Sequence, residues 1–239
     1  MSNTKTIMGQ ASNQYVTPTD ITDVFSTYLY DGTGSAQTIT NGIDLDGEGG
    51  LVWMKNRTSS SYSHALQHTT IADGGYLSSN TTVAFQAAAN NGISAFNSNG
   101  FTFDTGNWEE FNNSAHDYAS WTFRKAPKFF DVVSGLTSDG SGNLPQFNHN
   151  LGSTPGCVIM KATDSGSNWV VFHKGLSASG ANQYIQLNNT SAATSATGFG
   201  IATDTTFEVG AGSALVPSVT YVAYLFAHET DAKSMIQCG

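Results

Sequence analysis

Four sets of side chains have the types and spacing to do chemistry. Asp44, Asp46 and Glu48 put carboxylates at alternate positions of Asp44-Leu-Asp-Gly-Glu48, a pattern hard cations such as calcium favour. It departs from an EF-hand, because the glycine comes too early and no distal glutamate follows in register. The corresponding later stretch holds Asn150, Gly152 and Thr154, so an acidic turn is the simpler expectation and no metal site is assigned. His64 and His68 are four apart; on a strand they share a face about 13 Å apart, too far for one tetrahedral zinc. Glu109 and Glu110, with Asp104 and Asp117, contain the carboxylates a glycosidase pair would need, but the later stretch has no counterparts. Trp108, Phe111 and Tyr62 fall in loops, where aromatic faces stack on sugars, anchor a protein interface or pack down on the end of a domain. No G-x-S-x-G, phosphate-binding loop or dinucleotide fingerprint occurs. The expectation is a protein with no catalytic residue and no cofactor, and Trp108, Phe111 and Tyr62 as possible glycan-contact residues.

These groups must be carried by β-structure. Only 11% of the 239 residues are charged, and Ser, Thr, Asn and Gly, residues of turns and exposed strand faces, take their place. Fourteen Phe, nine Tyr and four Trp supply large buried area. The net charge of −9 repels phosphate backbones and anionic headgroups, so no nucleic-acid or membrane partner is expected. Cys157 and Cys238 are too few for a disulfide framework. The first residues lack the apolar core of a signal peptide, and no apolar run reaches 18 residues.

The chain reads as one module written twice. Gly50-Leu-Val-Trp-Met-Lys-Asn-Arg57 returns as Gly156-Cys-Val-Ile-Met-Lys-Ala-Thr163, a shift of 106 residues. Asp31-Gly-Thr-Gly34 returns as Asp139-Gly-Ser-Gly142, and Tyr118–Phe123 as Tyr221–Phe226. From the central strand to the closing strand the shift falls from 106 to 103, as small loop deletions would make it. Val52 and Met54 point to one face, Leu51, Trp53 and Lys55 to the other. Each copy offers seven to nine short strands between turn signals and no amphipathic helix, which predicts all-β architecture: two tandem homologous antiparallel β-sandwich (jelly-roll-like) domains, with a possible twofold relation between them.

The expected organisation is an N-terminal extended arm over 1–22, the first sandwich over 23–126, the second over 127–229, and a strand over 230–239. Thr19-Asp20 can cap one turn. Arg124-Lys-Ala-Pro-Lys128 is a joint short enough to favour packed halves. Met235-Ile-Gln-Cys-Gly239 falls 106 residues after Phe129–Val133 and looks like the opening strand of a third copy.

Several of these strings resemble the repeated β-domain of virion structural proteins of tailed phages, notably marine and cyanobacterial ones. They are Val24–Gly34 with Gly42–Arg57, the joint Ser120–Asp131, the lead-in His149-Asn-Leu-Gly-Ser-Thr-Pro155, and the closing strand Tyr221–His228. The resemblance covers about residues 23–239. It implies a virion location, as a tail fibre or tail-associated protein or a capsid-decorating one, and brings no catalytic residues. The partners expected are other virion proteins, met through the N-terminal arm or the C-terminal strand, further copies of the chain in a homo-oligomer, and host-surface glycan.

Overall fold

The computed structural model describes residues 20–71, 75–88, 92–176, 183–196, 198–210, 215–231 and 234–239. The expected arm over 1–22 lies outside them except at its end. There the Asp20 side chain accepts from Thr22 N–H at 2.9 Å and caps a single 3-10 turn, Ile21–Asp23.

The first half contributes β1 (Phe25–Asp31), β2 (Gln37–Thr40), β3 (Gly50–Asn56), β4 (Ala65–His68), β5 (Leu77–Ser78), β6 (Ile93–Asn97), β7 (Gly100–Phe103) and β8 (Asp117–Arg124). They form a large antiparallel sheet, β1-β8-β3-β4-β5, and a small one, β2-β7-β6. The second half contributes β9 (Phe130–Thr137), β10 (Leu144–Asn148), β11 (Pro155–Ala162), β12 (Val170–His173), β13 (Gln183–Gln186), β14 (Thr194–Ser195), β15 (Phe199–Ala202), β16 (Thr206–Val209) and β17 (Thr220–Ala227). Its sheets run β9-β17-β11-β12-β13-β14 and β10-β16-β15, the same order with one short edge strand added. The all-β sandwich class is thus what the chain adopts.

The register repeats as well. Leu51, Trp53 and Lys55 sit opposite Phe123, Trp121 and Ala119, and Cys157, Ile159 and Lys161 sit opposite Phe226, Tyr224 and Val222. Period-two alternation then sends Val52 and Met54 into the first core with Ile39, Phe101 and Phe103 of the small sheet, and Val158 and Met160 into the second with Phe199 and Phe207.

The opposite faces of the two large sheets are also apolar. They close on each other around Leu51, Leu66, Leu77, Phe130, Trp169 and Tyr224, which form a third core between the halves. The order is small sheet, large sheet, large sheet, small sheet. This is why β11 and β17 read as almost unbroken apolar runs rather than alternating ones, both their faces being covered, and why β3 does so except at half-buried Trp53 and Lys55.

Two expectations are corrected. The halves do not meet about a twofold axis. Trp169 Nε1–H donates to Ser78 O at 2.9 Å and the His68 ring meets the Tyr224 ring edge-on at 5.5 Å, so the β4–β5 corner of the first half covers the β12–β17 face of the second. The twofold counterparts of these contacts do not occur among the described residues: Trp169 and Tyr224 are matched by His64 and Trp121, and the His64 ring lies against Trp53 of its own half. The C-terminal residues 234–239 form no strand. An opening strand pairs with the closing strand of its own copy, as Phe130 does with Phe226, and β17 already has β9 and β11 on its two sides. The tail retraces only the joint: Glu229 N–H donates to Ile236 O at 3.4 Å, as Ala126 N–H does to Phe130 O at 2.9 Å. Met235 and Ile236 pack on the third core, and Cys238 is buried against Gly156.

Candidate functional site

The loop between β7 and β8 holds most of the residues with chemical potential. Asn112, fully buried, accepts from Thr33 N–H at 2.9 Å through Oδ1 and donates to Ser35 O at 2.7 Å through Nδ2, tying the loop to the β1–β2 turn. Tyr118 donates its hydroxyl hydrogen to Glu109 O at 2.9 Å and accepts from Asn113 N–H at 2.9 Å. Asn56 adds a donor to Glu109 O at 2.9 Å. The loop is therefore pinned from both large-sheet strands beneath it.

These ties decide where the aromatic candidates go. Phe111 is fully buried in the first core, edge-on to Tyr76 at 4.9 Å, so it is not a surface contact residue. Trp108 is half-buried, edge-on to Tyr76 at 6.0 Å and to Phe111 at 6.2 Å, and closes the end of the sandwich. Tyr62 is half-buried against His116, ring centres 5.4 Å apart. The apolar pull of the sandwich end outcompetes solvent for all three, most completely for Phe111.

Burial pushes the Glu110 carboxyl above the usual range, with the Glu109 charge adding to the shift and Trp108 and Lys55 opposing it. One Glu110 oxygen has no hydrogen-bond partner. Glu109 is its neighbour in the chain rather than an acid facing it across a cleft, so the two do not make the opposed geometry that glycoside hydrolysis needs.

Two members of the acidic triplet are engaged within the first half. Asp44 Oδ1 accepts from Gly47 N–H at 3.0 Å, and Glu48 pairs with Arg124 at 3.2 Å. Among the described residues no three His, Cys, Asp or Glu side chains converge as a metal set. His64 and His68 are separated as the strand spacing requires: His64 accepts from Trp53 Nε1–H at 3.3 Å, and His68 lies at the seam between the halves. Burial pushes the Cys157 thiol up to about 12 and raises that of Cys238, so both stay protonated and poorly nucleophilic at neutral pH.

Sequence reading missed the seam. It holds a cleft of about 570 Å³ lined by His68, Thr70, Phe85, Ser134, Asp164 and Thr220, residues of both halves. Asp164 faces Thr220 N–H with both oxygens at 3.1 Å. Beside it Lys161 is fully buried and donates to Ser167 O at 2.9 Å and to Thr82 O of the first half at 3.1 Å. Its repeat counterpart, Lys55, bonds only to its own loop, at Tyr62 O and Ser59 O. The signal was present as Met-Lys in both copies, but nothing in one copy shows which lysine the other half will cover.

Burial holds the Lys161 ammonium down to about 8, against 10.5 in the unfolded chain. Between those values the unfolded chain carries the extra proton, so stability rises with pH from about 8 to 10.5, and below 8 the charging penalty is at its maximum. Lys161→Met should remove this rise. In urea melts, the stability of the wild type relative to the variant should improve between about pH 7.5 and 10; a difference that stays constant would refute a buried, charge-penalised lysine.

A second feature missed from sequence is an apolar hollow of about 300 Å³ on the first half, lined by Trp53, His64, Trp121 and Phe123. Trp53 and Trp121 sit directly opposite each other on β3 and β8, and both are only half-buried.

No curated protein and no solved structure matches the chain. A family model described as a domain of unknown function, DUF7483, matches residues 20–232. That span takes in both sandwiches, the joint and the seam, and the chain belongs to the DUF7483 family.

Proposed function

We propose that this chain is a non-enzymatic structural component of a tailed-phage virion, a tail fibre or tail-appendage protein that serves assembly or attachment to the host surface. The observation that carries the reading is the fusion of two like sandwiches through their large sheets, which gives a stiff block with a small sheet on each outer side. The strings that resemble the phage family occupy the positions that build this block. The joint residues Arg124 and Lys125 are pinned to Glu48 and Asp131 at 3.2 and 3.1 Å, and Leu151 of the His-x-Leu-Gly lead-in is fully buried in the second core. Such a block transmits position rather than turning over a substrate. Its partners on this reading are other virion proteins, further copies of itself and a host glycan.

Particles banded on CsCl should contain the chain at a fixed copy number, and cryo-EM of those particles should show its four-layer density on the tail. Density on the head instead would make it a capsid-decoration protein. Absence from banded particles would defeat both assignments.

A further inference from the structure

We infer that the first half carries an unfilled docking face for a second copy of this chain, to be met by the β12–β13 corner of that copy's second half. The contact is a property of the chain and does not depend on the virion assignment.

The repeat supplies the template. By strand register Trp121 is the counterpart of Tyr224, since Trp53 opposite Trp121 takes the place of Ile159 opposite Tyr224. Thr27 is the counterpart of Val132, through pairing with those same two residues. His64 is the counterpart of Trp169: each precedes the strand residue paired with Met54 or Met160. The match extends to hydrogen bonding. His64 N–H donates to Asn80 Oδ1 at 3.1 Å and Trp169 N–H to Asn188 Oδ1 at 2.8 Å, which also places Thr82 and Thr190 in correspondence.

The counterparts differ in what covers them. Val132, Lys161, Trp169 and Tyr224 are at most 2% exposed, covered by the corner His68, Leu77, Ser78 and Thr82 of the first half. On the first half Thr27 is exposed, and Lys55, His64 and Trp121 are half-buried around the apolar hollow. The occupant is thus written into the molecule: the same corner of the same fold. The second half presents that corner as His173, Ile185, Gln186 and Thr190, half-buried or exposed, with Leu187 beside it 40% exposed.

The polar groups carry over. Trp53 Nε1–H is accepted by His64 Nδ1, so the neutral ring holds its proton on Nε2. By the same correspondence that N–H takes the role of the Trp169 indole N–H, which donates to Ser78 O, and Gln186 O is the matching acceptor. Lys55 donates to Tyr62 O and Ser59 O and retains a third N–H for Thr190 O, as Lys161 uses one for Thr82 O. The two faces differ, so the contact is heterologous and each copy keeps one of each kind to offer onward.

Sedimentation velocity of the full chain should show concentration-dependent self-association up to roughly 100 μM. Trp121→Glu, on the docking face, and Ile185→Asp, on the corner, should each weaken it at least about tenfold while retaining a cooperative thermal transition. If either charge variant fails to fold, Trp121→Ala and Gln186→Arg take their places. Mixing the two weakened variants should restore a dimer, because one chain keeps an intact corner and the other an intact docking face. A wild type that stays monomeric would overturn the inference, as would mixing that restores nothing, since that is the behaviour of a symmetric contact. A monomeric wild type whose Trp121 fluorescence responds to soluble oligosaccharide would assign the hollow to sugar and also overturn it.

Discussion

Trp169→Ala should lower the unfolding free energy by about 3–5 kcal/mol, the cost of truncating a fully buried tryptophan. The indole is 0% exposed, lies nearly parallel to the Tyr224 ring with centres 6.3 Å apart, and donates to Ser78 O at 2.9 Å. Its loss removes the largest filler of the seam and one of the polar ties between the halves, and the rigid neighbouring strands cannot collapse into the space. Urea unfolding should show a lower midpoint, and hydrogen exchange should rise across β4, β5 and β12 together. The matching change in the first half, His64→Ala, should cost no more than about 1 kcal/mol, because that position is half-exposed and covered by no second domain. Equal costs at the two positions would show that the seam is not where the halves draw their mutual stability.

Acid should weaken the protein through His68. Its ring is 1% exposed, its Nδ1 contacts Thr70 Oγ1 at 2.8 Å, its Nε2 has no partner, and burial holds its pKa down to about 3. The unfolded chain takes up this proton near 6.5, the folded chain only near 3. The unfolded state therefore binds more protons between those values, and stability is lost as pH falls from about 6.5 toward 3, by on the order of 5 kcal/mol at full titration. His149, lowered by burial and partly held up by Asp131, adds to the same loss. Chemical denaturation at pH 7 and 4.5 should show His68→Gln losing less stability over this interval than the wild type. A variant that loses as much would place the acid sensitivity elsewhere.

Much of the fold was legible because strand patterning is local. The alternation of Val52 and Met54 against Leu51 and Trp53 assigned faces, and the repeat assigned equivalent strands, while the order of strands within each sheet came from the structure. Site residues were less legible. Phe111, Trp108 and Tyr62 share a loop setting in sequence, yet Phe111 is swallowed by the first core, Trp108 packs against its end and Tyr62 lies half-buried against His116. The acidic triplet looked like a cation pattern, but Asp44 accepts from Gly47 N–H and Glu48 pairs with Arg124. The C-terminal repeat of an opening strand could not become one, because strand formation depends on a neighbour with an open edge.

By itself the sequence determined an all-β chain built from one module twice over, since composition, turn residues and a 106-residue periodicity are properties of the string. Only the tertiary structure decided which copies of equivalent residues are covered. Lys55 and Lys161 each follow a methionine at the same strand register, and differ in burial because one half can cover only one face of the other. The asymmetry arises from docking two like modules off-axis, and it leaves Trp169 buried, His64 half-exposed, and an apolar hollow beside Trp121.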